Sequence, residues 1–83
     1  MGMMKRFYEA NKISIAYYSN DKVKKATFMK QRRNGLYSQE WETQDGHGNV
    51  LDHYYAGARS IQGVEKRCNA ICENNEVISI TIE

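Results

Sequence analysis

Residues 13–43 read ISIAYYSNDKVKKATFMKQRRNGLYSQEWET, and the way this stretch pairs with itself decides the fold. Ile13-Ser14-Ile15-Ala16-Tyr17-Tyr18 alternates and is rich in β-branched and aromatic residues, the pattern of a half-buried strand. Val23 to Gln31 and Leu36 to Thr43 are two further runs of this kind, flanking Arg33-Asn34-Gly35. Asn-Gly is a strong hairpin signal because both central residues of a type I′ turn need positive φ. Ser19-Asn20-Asp21-Lys22 offers a second two-residue turn, between the first pair of runs. An Asn20-Asp21 loop places Ile15 opposite Ala26 and Ile13 opposite Phe28. An Asn34-Gly35 loop places Phe28 opposite Trp41 and Ala26 opposite Thr43. Both turns therefore put Ile13, Ile15, Tyr17, Ala26, Phe28, Trp41 and Thr43 on one face, an agreement that a one-residue slip in either would destroy. The opposite face takes Ser14, Ala16, Tyr18, Lys25, Thr27, Met29, Gln31, Ser38, Glu40 and Glu42. It reads as solvated, with Tyr18 and Met29 as its only sizeable apolar groups.

Working outward, Val50 to Tyr55 reads as a fourth strand after the longer turn Asp45-Gly46-His47-Gly48-Asn49. A helix then follows. Ser60 is a suitable N-cap, and Ile61, Val64, Cys68 and Ile71 recur at helical spacing. Gly63 weakens the first turn by about 1 kcal/mol. Asn74-Asn75 is the expected stop, since Asn tolerates the left-handed conformation. Val77 to Ile82 alternates again and offers Ile78, Ile80 and Ile82 as a third apolar row. The expected architecture is α+β: a four-stranded antiparallel meander, one helix on its apolar face, and a C-terminal fifth strand beside the first (ββββαβ, order 4-3-2-1-5). Residues 3–83 form one domain in this reading. Residues 1–2 look like a cloning remnant, and residues 3–11 fit either a short helix or an extension of the first strand.

Composition narrows the function classes. Hydrophobic residues make up 41% and charged residues 27% of the 83, and there is no proline. That balance is too apolar for disorder and offers no internal linker. A chain this size buries roughly 60–65% of its unfolded surface, enough for one thin core and no deep substrate cleft. No apolar run has the roughly 18–20 residues of a membrane span. Met4-Lys5-Arg6-Phe7-Tyr8-Glu9 is charged where a signal peptide is apolar, so a cytoplasmic location is expected.

Chemistry-bearing residues are sparse. His47, His53, Cys68 and Cys72 are the only soft-metal set, and C-x3-C with H-x5-H matches none of the common zinc spacings. The two cysteines read as reduced core thiols. Gly46-His47-Gly48 lacks the lysine and helix start of a phosphate loop. Asp52 and His53 are strand neighbours pointing to opposite faces, so Asp52 cannot orient His53 as a base, and Ser60 gains no partner from either. No catalytic residue, metal or cofactor is expected.

Charge is unevenly spread: residues 1–33 hold nine Lys and Arg against two acids, and residues 34–83 hold three against eight. Lys22, Lys24 and Lys25 gather at one end of the first hairpin, with Lys30, Arg32 and Arg33 toward the other, and Tyr37 nearby for stacking. Arg32-Arg33-Asn34-Gly35-Leu36-Tyr37, the turn Asp45-Gly46-His47-Gly48-Asn49 and the helix from Ser60 together resemble, over residues 32–73, the AP2-like, arm-type DNA-binding domains of tyrosine integrases. That resemblance implies a three-stranded sheet, backed by one helix, lying in the major groove. Glu40, Glu42 and Asp52 on those strands repel phosphate, however, and favour a protein partner. In size, compactness and lack of an active site the chain is similar in type to small anti-CRISPR proteins of phage and mobile elements, which implies an inhibitor or accessory role. The expected protein interface comprises Tyr18, Met29, Glu40, Glu42, Tyr54 and Tyr55, since tyrosine is enriched at interfaces. A homodimer through an exposed edge strand is a special case of it.

Overall fold

The computed structural model describes residues 7–83. The expected remnant at residues 1–2 and the start of the 3–11 segment lie outside them; residues 7–9 are helical. Strands β1 (Lys12–Ser19), β2 (Lys22–Lys30), β3 (Tyr37–Gln44) and β4 (Val50–Arg59) form an antiparallel meander, followed by helix α1 (Ile61–Asn74) and strand β5 (Glu76–Ile82). The five strands lie in the order β4-β3-β2-β1-β5, as the hydrophobic pattern requires.

The first hairpin has the expected register. Ile15 pairs with Ala26 and Ile13 with Phe28 across the Asn20-Asp21 loop, with Asn20 in the left-handed region at φ 59°. The second hairpin differs. Trp41 pairs with Ala26 and Gln39 with Phe28, a displacement of two residues from a tight Asn34-Gly35 turn. Only Gly35 (φ +71°) has the positive φ that a type I′ turn demands of both residues. The chain instead closes a four-residue loop, residues 32–35, inside the pair Gln31 and Leu36. The Gln31 N–H donates to the Leu36 carbonyl at 2.7 Å, and the Gly35 N–H to the Gln31 carbonyl at 3.1 Å. The Asn34 side-chain oxygen accepts from the Leu36 N–H at 3.0 Å, holding the loop without a left-handed Asn. Because the displacement is even, every side chain keeps its face.

Ile13, Ile15, Tyr17, Ala26, Phe28 and Trp41 accordingly line the buried face, against Val64, Cys68 and Ile71 of α1. Phe28 and Trp41 meet edge to face at 6.1 Å. Ser60 caps the helix by accepting from the Gly63 N–H. The C-terminal stop departs from expectation: Asn75 is extended (φ −141°), and its backbone N–H and side-chain amide both reach the Ile71 carbonyl. Burial holds the Cys68 thiol up at about 11, while Cys72 one turn on is exposed.

Two further expectations are corrected. The β5 row enters the core only in part: Ile82 packs against it, whereas Ile78 and Ile80 are 45% and 43% exposed. A bulge beside Ala16 and Tyr17 inserts Ile78 as an extra residue and brings Val77, rather than Ile78, opposite Tyr17. Tyr37, expected on a binding surface, is instead one of the most buried side chains; its hydroxyl donates to the Ala10 carbonyl at 2.5 Å.

The path of α1 fixes what remains open. β4 and β5 lie at opposite edges of the sheet, so the helix must cross it, from the Arg59 end of β4 to the Glu76 end of β5. A diagonal crossing leaves two corners of the buried face uncovered. Residues 7–10 fill one: Phe7 and Ala10 join the core, and the Tyr8 hydroxyl donates to Glu65 of α1 at 2.7 Å. The other corner, beside β4, has no such cover.

The β3–β4 turn is organised by Asp45. One carboxylate oxygen accepts the N–H groups of His47 (2.8 Å) and Asn49 (3.0 Å), and the other accepts the Asn49 side-chain amide (3.0 Å). These bonds, that of the Asn49 side chain foremost, hold the Asp45 carboxyl below the ordinary carboxylate range. Their contribution is complete above the unfolded-state pKa and fades as pH falls through the lower folded one. Asp45→Asn should therefore lose stability at neutral pH and flatten the acid limb of the stability curve; urea unfolding across pH 2–7 on both proteins measures it. In the core, Trp41→Ala should cost about 3–5 kcal/mol, while Met29→Ala on the opposite face should cost under about 1 kcal/mol. Circular dichroism suits this comparison, because Trp41 is the only tryptophan.

Candidate functional site

β4 is exposed along all ten residues, the longest strand of the sheet and the least covered. It has a neighbour on one side only, so its outer row of backbone groups is unpaired by any other strand among the described residues. Bulges at Leu51 and between Ala56 and Arg59 interrupt its pairing with β3, leaving Asp52 to Ala56 as the regular central stretch. Val50, Leu51, Tyr54 and Tyr55 are all more than half exposed.

The two tyrosines do not form one surface, in contrast to the expected joint role. Tyr54 pairs with Trp41 and faces the helix side; Tyr55 pairs with Glu40 and faces the bare side. Period-2 alternation separates any two strand neighbours in this way. On the bare face, Tyr55 meets His53 edge to face at 5.2 Å, and His53 Nε2 lies 3.6 Å from a Glu40 carboxylate oxygen. Glu42 accepts from the Gln44 side-chain amide at 2.6 Å on the same face. Tyr18 and Met29 are exposed there but lie toward opposite ends of the strands, Tyr18 opposite Val23 and Met29 opposite Ser38.

On the helix side, the uncovered corner is an open cleft of about 370 Å³ between β3–β4 and α1. Trp41, Tyr17 and Tyr54 line its sheet side, and Arg67, Ala70 and Asn74 its helix side. The Arg67 guanidinium stands over the Trp41 ring, 5.3 Å from its centroid. Lys24 and Asp52 lie at the cleft's outer end, in the sheet row that runs from Tyr17 through Thr43. Burial raises the Tyr17 phenol above its ordinary range, and the nearby Arg67 charge opposes that rise. The sequence signals for this cleft were present in Arg67 and Ala70, which fall on the helix flank beside β4, but its openness follows from the helix path and not from any motif.

The expected basic contacts disperse. Lys24 borders the cleft while Lys25 is exposed on the bare face, since they too are strand neighbours. Lys22 and Lys30 are exposed at opposite ends of β2, and Arg32 and Arg33 on the loop beyond it. Among the described residues no three His, Cys, Asp or Glu side chains converge as a metal-binding group. None of the helices described is long and apolar enough to cross a membrane.

No family model, curated protein or solved structure shows significant similarity to the chain.

The Arg67 charge near Tyr17 gives a direct check on the cleft geometry. Arg67→Gln should move the Tyr17 titration further upward, read from the Tyr17 ring carbon shifts by NMR. An unmoved titration would place the guanidinium away from the phenol.

Proposed function

We propose that this chain is a non-catalytic interaction module that binds a protein partner by accepting an extended segment along the outer edge of β4. The observation that carries this reading is a ten-residue strand exposed throughout and paired on one side only. Edge strands are usually short, charged or covered, because their free N–H and C=O groups invite pairing. The bulges of β4 blunt its two ends, but the stretch from Asp52 to Ala56 retains a regular edge flanked by exposed tyrosines on both faces. Added strands draw affinity from main-chain hydrogen bonds and specificity from alternate side chains. Tyr54 and Tyr55 each present one such face to an incoming strand. Such a module acts as an inhibitor or accessory protein, the role implied by its likeness in type to anti-CRISPR proteins.

Nucleic-acid binding has less support. It retains Lys22, Lys25, Lys30, Arg32 and Arg33 as exposed cations but loses Tyr37 to the core. Glu40 and Glu42 occupy the open sheet face that would approach phosphate.

Selection of extended peptides from a display library against the intact chain, followed by amide exchange, tests the proposal. Selected peptides should slow exchange of the alternate, outward-pointing amides between Asp52 and Ala56 by about tenfold or more, and Tyr55→Lys should weaken them. A concentration-dependent dimer with the same protection would make a second copy the partner. Peptides that protect other elements, or DNA binding that falls steeply with salt, would overturn the strand-addition reading.

A further inference from the structure

The helix side of β4 is more basic than the balance of the chain suggests. Beside the cleft lies a second depression of about 250 Å³, lined by Arg59, Gly63, Lys66, Arg67 and Ala70. The two share Arg67 and Ala70, so they form one groove along the flank of α1 that faces β4. Four cations border it: Lys24, Arg59, Lys66 and Arg67. Among the described residues none of the four is paired with a carboxylate.

Several of the nearby acids are engaged or face elsewhere. Glu65 is held by Tyr8 on the other flank of the helix. Glu40 and Glu42 lie on the bare face with His53 and Gln44. Asp45 is enclosed by its own turn. Asp52 lines the cleft in the same row as Lys24, and Glu42 borders it as well. The two sides of β4 thus carry opposite charge, basic toward the helix and acidic on the bare face.

We infer that this groove selects an acidic partner segment, whose helix-side carboxylates are received by Arg67 in the cleft and by Arg59 and Lys66 beyond it. The inference rests on strand addition at β4, and it names the partner chemistry. A strand added there runs about 4.8 Å outside β4. Its alternate side chains project on the helix side, and a glutamate is long enough to reach back over the edge toward the groove. Guanidinium groups suit carboxylates because they offer paired, planar donors. Arg67 is further oriented by Trp41 beneath it. Arg59, Lys66 and Arg67 are exposed, and exposed pairs contribute little singly, so the preference comes from several acting together. An acid on the partner's other face would meet Glu40 and Glu42, so charge also sets which way the segment turns.

The probes are fluorescent peptides of about ten residues alternating valine with glutamate, glutamine or lysine, and a single-stranded oligothymidine of similar length, each titrated against the full chain by anisotropy. The glutamate peptide should bind about tenfold or more tighter than the glutamine peptide, with the lysine peptide weakest. Arg67→Gln and Lys66→Gln should each reduce that preference, while Lys12→Gln, on β1 away from β4, should leave it unchanged. Lys66 is exposed, so its variant keeps the test valid if Arg67→Gln is poorly folded. Equal affinity for glutamate and glutamine peptides would overturn the inference, as would tighter binding of the oligonucleotide through the same residues. Amide exchange separates this result from the strand-addition reading. A glutamine peptide that protects β4 as well as the glutamate peptide leaves the edge standing and removes the acidic preference. A glutamate peptide that shifts Arg67 and Trp41 resonances without protecting β4 supports the groove and removes strand addition.

Discussion

Everything distinctive about this fold follows from one connection: the chain must pass from β4 at one edge of the sheet to β5 at the other. Four strand spacings amount to about 19 Å, and a helix of 14 residues spans about 21 Å. The helix is thus long enough to cross once and too narrow to cover the sheet. Its apolar stripe of Val64, Cys68 and Ile71 lies on the central strands, where Ile13, Ile15, Ala26 and Phe28 are fully buried. The corners go to whatever else the chain offers. Phe7 and Ala10 take one, and the other stays open as the cleft beside β4.

Most of the architecture was legible because two physical signals agreed. Alternation assigned each strand a buried face, and the turn residues set which strands met. Strand order, the helix with its Ser60 cap, and the buried set from Ile13 to Trp41 all follow from that agreement. The errors are equally physical. Asn34-Gly35 carries the signal of a complete type I′ turn, yet Asn34 accepts from the Leu36 N–H in an ordinary backbone conformation and only Gly35 adopts positive φ. The bulge at Ile78 exchanges which β5 residues point inward, and no composition rule marks a bulge in advance. Tyr37 is buried because Ala10, far off in sequence, supplies a buried acceptor for its hydroxyl, a contact that no local pattern marks.

The candidate site was only half legible. Tyr54 and Tyr55 are prominent in the sequence, but their value lies in being divided between the two faces, one beside Trp41 and the other beside Glu40. The sequence is basic early and acidic late. Folding redistributes this charge: Lys24 and Lys25 part to opposite faces, and Arg59, Lys66 and Arg67 come from the acidic half to line the groove. Charge asymmetry here is a property of the two faces of one strand rather than of two segments of chain.

The loop at residues 32–35 carries a consequence for how such a chain can diverge. The four-residue loop sets β3 two residues along β2 from the register of a two-residue turn, yet Trp41 stays inside and Glu40 outside. Side-chain orientation in a meander is conserved modulo two, so related chains can gain or lose loop residues in pairs at little structural cost. A single insertion would turn β3 over, expose Trp41 and bury Glu40 unless a bulge absorbed it. The bulges in β4 and β5 are where this sheet already accommodates odd counts, and both lie at its edges, where an inverted residue finds water instead of the core.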